Sequence, residues 1–422
     1  MVLTREAVSP RAILVPIGSE VVSGNVVDTN SAYLSRELTQ LGFEVIQHLA
    51  VKDEAFLIRE VLEEALGKAD LTITTGGLGP TFDDITKEVL TGISGQPLIF
   101  NPAQFRHIQD YFRKRKRRLH KNTRRQAYFP RGSRIFPNRF GVAAGIGLEK
   151  EGKWLIALPG VPHEMEGLFK TEIAPFLGSH FGKFKTVAVI NAKIIGLSEV
   201  EAVERMGARF PPADENIQCG IYPSPGEATL RLTFRTSDRK KAGSLVRFWS
   251  KTLRSKLGDY LISLTGESLE EVVGKLLAGR RQTVALAESM TGGLVAKRLT
   301  DILGSSRYVR GGDVVYCDQI KNSVLGIDKK TLSRYSAVSP QIAGLMAQSS
   351  RAKFSSDWAL SVTGNAGPGS QGGQPVGTVF LGLSGKNTRL VKKCFFAGTR
   401  ERIRWLASQA ALNMLRLALL NG

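Results

Sequence analysis

Two separated stretches of this chain alternate short apolar runs with amphipathic helical ones, and the runs open into glycine-rich loops. That order commits both stretches to layered α/β folds, because runs this short and this apolar read as strands buried on both faces of a parallel sheet. In the first stretch, residues 12–17, 43–46 and 71–75 read as strands, with helices over 30–42 and 55–66. In the second, 283–287, 313–316, 358–362 and 378–383 read as strands, with helices over 269–278 and 294–302. Between them, 185–190 and 228–234 alternate like strands, while 198–209 and 240–257 have helical spacing. The expected organisation is a three-layer α/β domain over 11–182, a small α+β domain over 183–265 and a second three-layer α/β domain over 266–422. Sheets of this kind take ligands in the loops at the carboxyl ends of their strands.

Charge narrows the function classes. The chain has 58 basic and 38 acidic residues, a net charge of +20, which suits anionic partners. Part of the excess is one run over 112–125, FRKRKRRLHKNTRR. Three readings stand for it: a solvated helix and loop face, a nucleic-acid contact, or an attractor of phosphorylated substrate. Three scattered cysteines, Cys219, Cys317 and Cys394, make neither a disulfide framework nor a zinc site, and a reducing, cytoplasmic setting is expected. No apolar window is long enough for a transmembrane helix, and residues 1–11 lack the apolar core of a signal peptide, so no membrane partner is expected.

The last stretch has no histidine, since all five lie in the first half of the chain. Ser-His-Asp hydrolysis and histidine-ligated zinc are therefore excluded there. Ser289 stands at a strand-to-helix turn, where its hydroxyl would be presented beside the N–H groups of Thr291, Gly292 and Gly293, donors for an oxyanion or a phosphate. Read as residues alone, the turn fits a helix cap as well as a nucleophile. A serine without histidine needs another base, and a lysine held neutral is the usual substitute; Tyr316 and Lys321 are the candidates. Residues 363–369, TGNAGPG, form a second glycine loop suited to an anion.

Five motifs in order, AESMTGGLVAKRLTDILGSS, GGDVVYCDQIKNSVLGI, AVS, SVTGNAGPG and PVGTVFLGL, closely resemble the CinA carboxyl-terminal family, whose members include nicotinamide mononucleotide deamidases. The resemblance implies a catalytic set of Ser289, Tyr316 and Lys321, assisted by Thr363 and by Arg400 in Ala397–Arg400. It implies hydrolysis of nicotinamide mononucleotide to nicotinate mononucleotide and ammonia without a cofactor, with Arg400 and the loop of Gly364, Gly367 and Gly369 on the 5′-phosphate. Met290, Cys317, Asp318 and Asn365 depart from the usual family residues, and Asp318 is expected to raise the pKa of Lys321.

In the first stretch, Glu20, Asp28 and Asn30 follow the first strand, and TTGGLGPTFDDIT follows the third. A glycine loop with paired carboxylates suits a phosphorylated ligand held through a divalent cation, although Asp83 and Asp84 fit a helix cap equally. NSAYL, TTGGLGPTFDDITKEVL, NTRRQAYFP and LPGVPHEM resemble the amino-terminal, molybdopterin-binding-like (MoCF) domain of the same family. That resemblance implies a metal-dependent ADP-ribose pyrophosphatase, with Mg2+ or a similar cation and K+ as cofactors. Glu20, Asp28, Asp83 and Asp84 would be metal ligands, and Gly76, Gly77, Gly79, Asn30, Asn122 and Arg125 would contact substrate, with Glu164 nearby. The middle segment corresponds to the family's KH-like domain, but 198–209 has no GxxG loop, which lowers a nucleic-acid reading. The resemblance implies pyridine-nucleotide recycling by a homodimer; the readings set against it are a non-catalytic competence or DNA-damage interaction protein and a molybdopterin binder.

Overall fold

A computed structural model of the chain describes residues 9–182, 186–208, 210–214, 216–236, 238–370 and 373–421. Residues 183–185 and Arg209, at the edges of expected elements, lie outside them. The chain divides into two compact units, Met1–Ala188 with Phe234–Ser244, and Val189–Thr233 with Leu245–Gly422.

The first unit is built on a six-stranded sheet in the order Glu44–His48, Arg11–Pro16, Leu71–Thr75, Lys153–Leu158, Gly145–Lys150, Arg134–Phe136. The first four run parallel, and the last two return antiparallel. Side chains alternate across the central strand. Ile13 and Val15 pack with Ile58 and Leu62 on one face, while Ala12 and Leu14 pack with Leu34, Leu38 and Phe43 on the other. The loop after Leu71–Thr75 needs glycine for two reasons: Gly76 has φ +105°, and a Cβ there would stand 2.3 Å from the Ile17 carbonyl oxygen.

The second unit carries a five-stranded sheet in the order Val309–Val314, Val284–Glu288, Trp358–Gly364, Thr378–Ser384, Arg389–Phe395. Its first three strands are parallel and its last two antiparallel. One face, with Leu286, Leu360 and Leu381, is covered by Ala411, Leu412 and Leu415 of the long helix Arg400–Asn421. Ala287 on the other packs with Ile342 and Met346 of the helix Pro340–Lys353. Arg389–Phe395 is the sheet's edge and is largely exposed.

The strand expected over 313–316 is instead Val309–Val314, so Tyr316 lies beyond its end. Gly311 and Gly312 lie inside that strand. In the fold they admit close neighbours: a Cβ on Gly312 would stand 2.8 Å from that of Leu286, and one on Gly311 2.7 Å from the Phe354 ring.

The middle segment forms a four-stranded sheet, ordered Ile217–Ser224, Glu227–Thr236, Thr186–Ile195, Leu261–Ser263. Its helix Glu199–Met206 starts in a reciprocal capping box between Ser198 and Glu201. Among the described residues, no helix is long and apolar enough to cross a membrane.

Candidate functional site

In the second unit, the parallel strands Val284–Glu288 and Trp358–Gly364 deliver Ser289 and Thr363 to the same carboxyl edge of the sheet. The Ser289 N–H donates to the Val362 carbonyl at 2.9 Å, which pins the turn. A cavity of about 800 Å³ opens there, lined by Ser289, Tyr316, Lys321, Thr363 and Arg400 together with Gly364, Gly367 and Gly369.

Lys321, on the helix Asp318–Leu325, is 1% exposed, and its Nζ donates to Ser289 Oγ at 3.4 Å. Two effects compete over its charge. Burial lowers its pKa, while the Asp318 carboxylate 3.7 Å away raises it. Burial is the larger, and the lysine sits below its ordinary value. Asp318 therefore acts in the expected direction and is outweighed.

Tyr316 is exposed at the rim, and its hydroxyl accepts from Arg400 Nη2 at 2.7 Å. Arg400 Nη1 donates to the Gly367 carbonyl at 2.7 Å, so this guanidinium ties the glycine loop to the tyrosine. Thr363 is buried and donates its hydroxyl proton to the Ala337 carbonyl at 2.8 Å, which fixes the cavity wall.

The turn amides require a correction. Glu288, 2% exposed, lies against the start of the helix Leu294–Thr300 and accepts from Gly293 N at 3.0 Å, Val295 N at 3.1 Å and Ala296 N at 2.8 Å. The Gly292 N–H donates to the Ser289 carbonyl at 3.0 Å. An internal carboxylate thus occupies the amino terminus that the sequence offered to a substrate anion. Of the three amides expected there, Gly292 and Gly293 are committed. Among the described residues, the N–H groups of Met290 and Thr291 carry no internal bond.

The first-unit residues are brought near one another only in part. Asp28 accepts from the Ser31 N–H and caps the helix Thr29–Gln40. Asp84 accepts from the N–H groups of Gly79 at 2.7 Å and Thr81 at 2.8 Å, bracing its own loop, and Asp83 accepts from the Thr81 hydroxyl. Glu20 lies on the short helix Ser19–Val22. Among the described residues, no three His, Cys, Asp or Glu side chains gather as a metal would require. Two of the four expected carboxylates, Asp28 and Asp84, are held by backbone amides. Asn30 donates to the Gly160 carbonyl at 2.7 Å, while its buried Oδ1 has no partner among the described residues. Gly77 follows Gly76 in the left-handed region, with φ +64°. Arg125 bridges the Thr81 carbonyl and Glu88, and Asn122 is exposed on the turn Lys121–Ala127.

Three family models match the chain in succession. Residues 13–179 match the model of a probable molybdopterin binding domain, 191–263 that of the damage-inducible protein CinA KH domain, and 266–419 that of the CinA C-terminal domain. A protein of Moorella thermoacetica named putative competence-damage inducible protein is 39% identical over 401 residues, spanning 94% of this chain and 96% of its own. The chain belongs to the CinA family. A protein of the same name from Halothermothrix orenii is 37% identical over 414 residues, 96% of this chain and 97% of its own. A crystal structure of a CinA protein from Thermoplasma acidophilum is 34% identical, covers 38% of this chain and 95% of that one, and has a TM-score of 0.36.

Two residues of this CinA chain escape sequence reasoning. Glu288 sits inside the AESMTGG motif, and the signal that could have found it is an acid at a strand end whose turn leads into a helix start. Lys87 follows Asp84 by three residues; it is 3% exposed, donates to the Arg125 carbonyl and is pulled down to about 8 by burial. A lysine in a charged stretch gives no sign of burial in sequence. Glu288→Ala strips three helix amides of their acceptor beside Ser289. It is expected to cost about 2 kcal/mol, read as a lower urea midpoint, and to reduce any turnover that depends on the serine.

Proposed function

We propose that the cavity of the second unit hydrolyses the carboxamide of nicotinamide mononucleotide to nicotinate mononucleotide and ammonia. The observation that carries this reading is Lys321: a buried lysine, held below its ordinary pKa by desolvation, with Nζ 3.4 Å from a serine hydroxyl. In its neutral form this amine is a general base already in contact with its nucleophile.

Ser289 Oγ attacks the amide carbon as its proton passes to Lys321 Nζ. The developing oxyanion is taken by the N–H groups of Met290 and Thr291, the turn donors without an internal partner among the described residues. Collapse of the tetrahedral adduct breaks the carbon–nitrogen bond. The Lys321 ammonium returns the proton to the leaving nitrogen, which departs as ammonia. Water then attacks the acyl-serine ester with Lys321 again as base, releasing the carboxylic acid and restoring Ser289. Tyr316 and Arg400 form one hydrogen-bonded rim over the cavity, and the arginine with the 364–369 loop supplies the donors for the 5′-phosphate.

The test is ammonia release from nicotinamide mononucleotide by wild type and Ser289→Ala, with chelator present. Release by the wild type that falls to background in the variant is the expected result. Absence of release from folded wild-type protein rejects the reading.

A further inference from the structure

We propose that Asp318 is the counter-ion for the cationic pyridinium ring of the substrate, and thereby the residue that makes this cavity prefer an oxidised nicotinamide nucleotide to its neutral, reduced counterpart. The proposal rests on the amidase reading for its substrate class, and its test is independent of turnover.

Asp318 stands in the first turn of the helix Asp318–Leu325, where a negative charge is mildly favourable by position alone. Asp318 is the first helical residue, after Cys317 at the cap, whereas Asp328 nearby stands at a cap itself and accepts from the Thr331 N–H at 2.9 Å and from the Thr331 hydroxyl. Asp318 makes no such bond among the described residues. Its side chain is 59% exposed, lines the cavity, and has one ionic neighbour there, Lys321 at 3.7 Å.

That neighbour cannot serve two roles. When Lys321 is neutral and able to accept the serine proton, Asp318 is left as an anion without a cation. Among the described residues, the other charged side chain lining the cavity is Arg400, which the amidase reading assigns to the 5′-phosphate. Titratable Tyr316 and Cys317 also face the cavity, and neither supplies positive charge.

The substrate class supplies it. In a pyridine-3-carboxamide nucleotide the ring nitrogen carries a full positive charge, and it sits meta to the carbon bearing the amide. Ser289 must reach the amide carbon, and Asp318 is only two short contacts from Ser289, through Lys321. The cationic ring therefore lands beside the carboxylate. It also replaces the lysine's ammonium as the partner of Asp318, so binding of a cationic ring favours the base form of Lys321. A dihydropyridine ring has the same outline and no charge, and brings neither effect.

The test measures binding in the full chain carrying Ser289→Ala, so that neither ligand is consumed. Nicotinamide mononucleotide and its reduced form are titrated by calorimetry into that protein, and into the same protein with Asp318→Asn or Asp318→Glu added. The expected result is about tenfold weaker binding of the oxidised nucleotide with asparagine, recovery with glutamate, and a change within about twofold for the reduced one. Equal losses for both ligands would mean a merely structural role and overturn the proposal. Unchanged or tighter binding of the oxidised form in Asp318→Asn overturns it too, as does failure of the oxidised nucleotide to bind. Discrimination that persists in a protein whose wild type releases no ammonia would reject the amidase reading and keep the counter-ion.

Discussion

Lys321→Ala is expected to lower ammonia release from nicotinamide mononucleotide roughly a thousandfold, because it removes a buried amine in contact with Ser289. Lys321→Met separates chemistry from folding. It keeps the apolar stem and volume, removes a charge that the fold desolvates, and is expected to raise the melting temperature while abolishing turnover. The pH dependence has a fixed sign. The folded protein holds Lys321 below its ordinary value, so it binds fewer protons there than the unfolded chain. Stability at this position therefore rises with pH from the lowered folded pKa to the lysine's ordinary one, and is lost as pH falls through that window. Methionine removes the dependence. Activity should rise on the same limb, since the neutral amine is the working form. A Lys321→Met protein that retains ammonia release would reject the lysine as base.

Arg298→Ala is expected to destabilise the second unit by about 3–5 kcal/mol. Arg298 is 4% exposed on the helix Leu294–Thr300, yet it joins three helices. Its Nη2 pairs with Glu270 at 2.8 Å, its Nη1 donates to Ser408 at 2.8 Å, and its guanidinium lies 4.3 Å from the Trp405 ring centroid. Truncation leaves the half-buried Glu270 carboxylate without its cation and empties the space over the indole. Denaturant melts should show the loss in the midpoint with the slope unchanged. Because the same helix carries the amides bound by Glu288, catalysis should weaken alongside stability. A midpoint within a few tenths of a kcal/mol of wild type would reject the clamp.

Much of this was legible in the residues. The strand runs around Ile13, Leu286 and Leu360 were visible because burial on both faces needs continuous apolar sequence. The loops of Ser289 and Thr363 were visible because they open at the carboxyl ends of parallel strands, where such sheets take ligands. Arg400, distant in sequence from the serine, lines the same cavity through the helix Arg400–Asn421. What sequence could not convey was how polar groups partition. Glu288 and Asp84 looked no different from carboxylates that meet a ligand, yet both are held by backbone N–H groups. Hydrogen-bond allocation is a three-dimensional property, and a turn rich in donors reads as an anion site until its acceptor is found.

The exposed edge strand Arg389–Phe395 bears on the colloidal behaviour of the protein. A sheet margin with one row of unpaired peptide groups is a template for runaway strand addition, especially where Leu390, Val391 and Phe395 are open to solvent. Arg389, Lys392 and Lys393 put three positive charges along that margin, so two such edges brought together repel before their peptide groups can engage. Part of the chain's large positive charge therefore works as a guard against precipitation, and that guard weakens as salt rises.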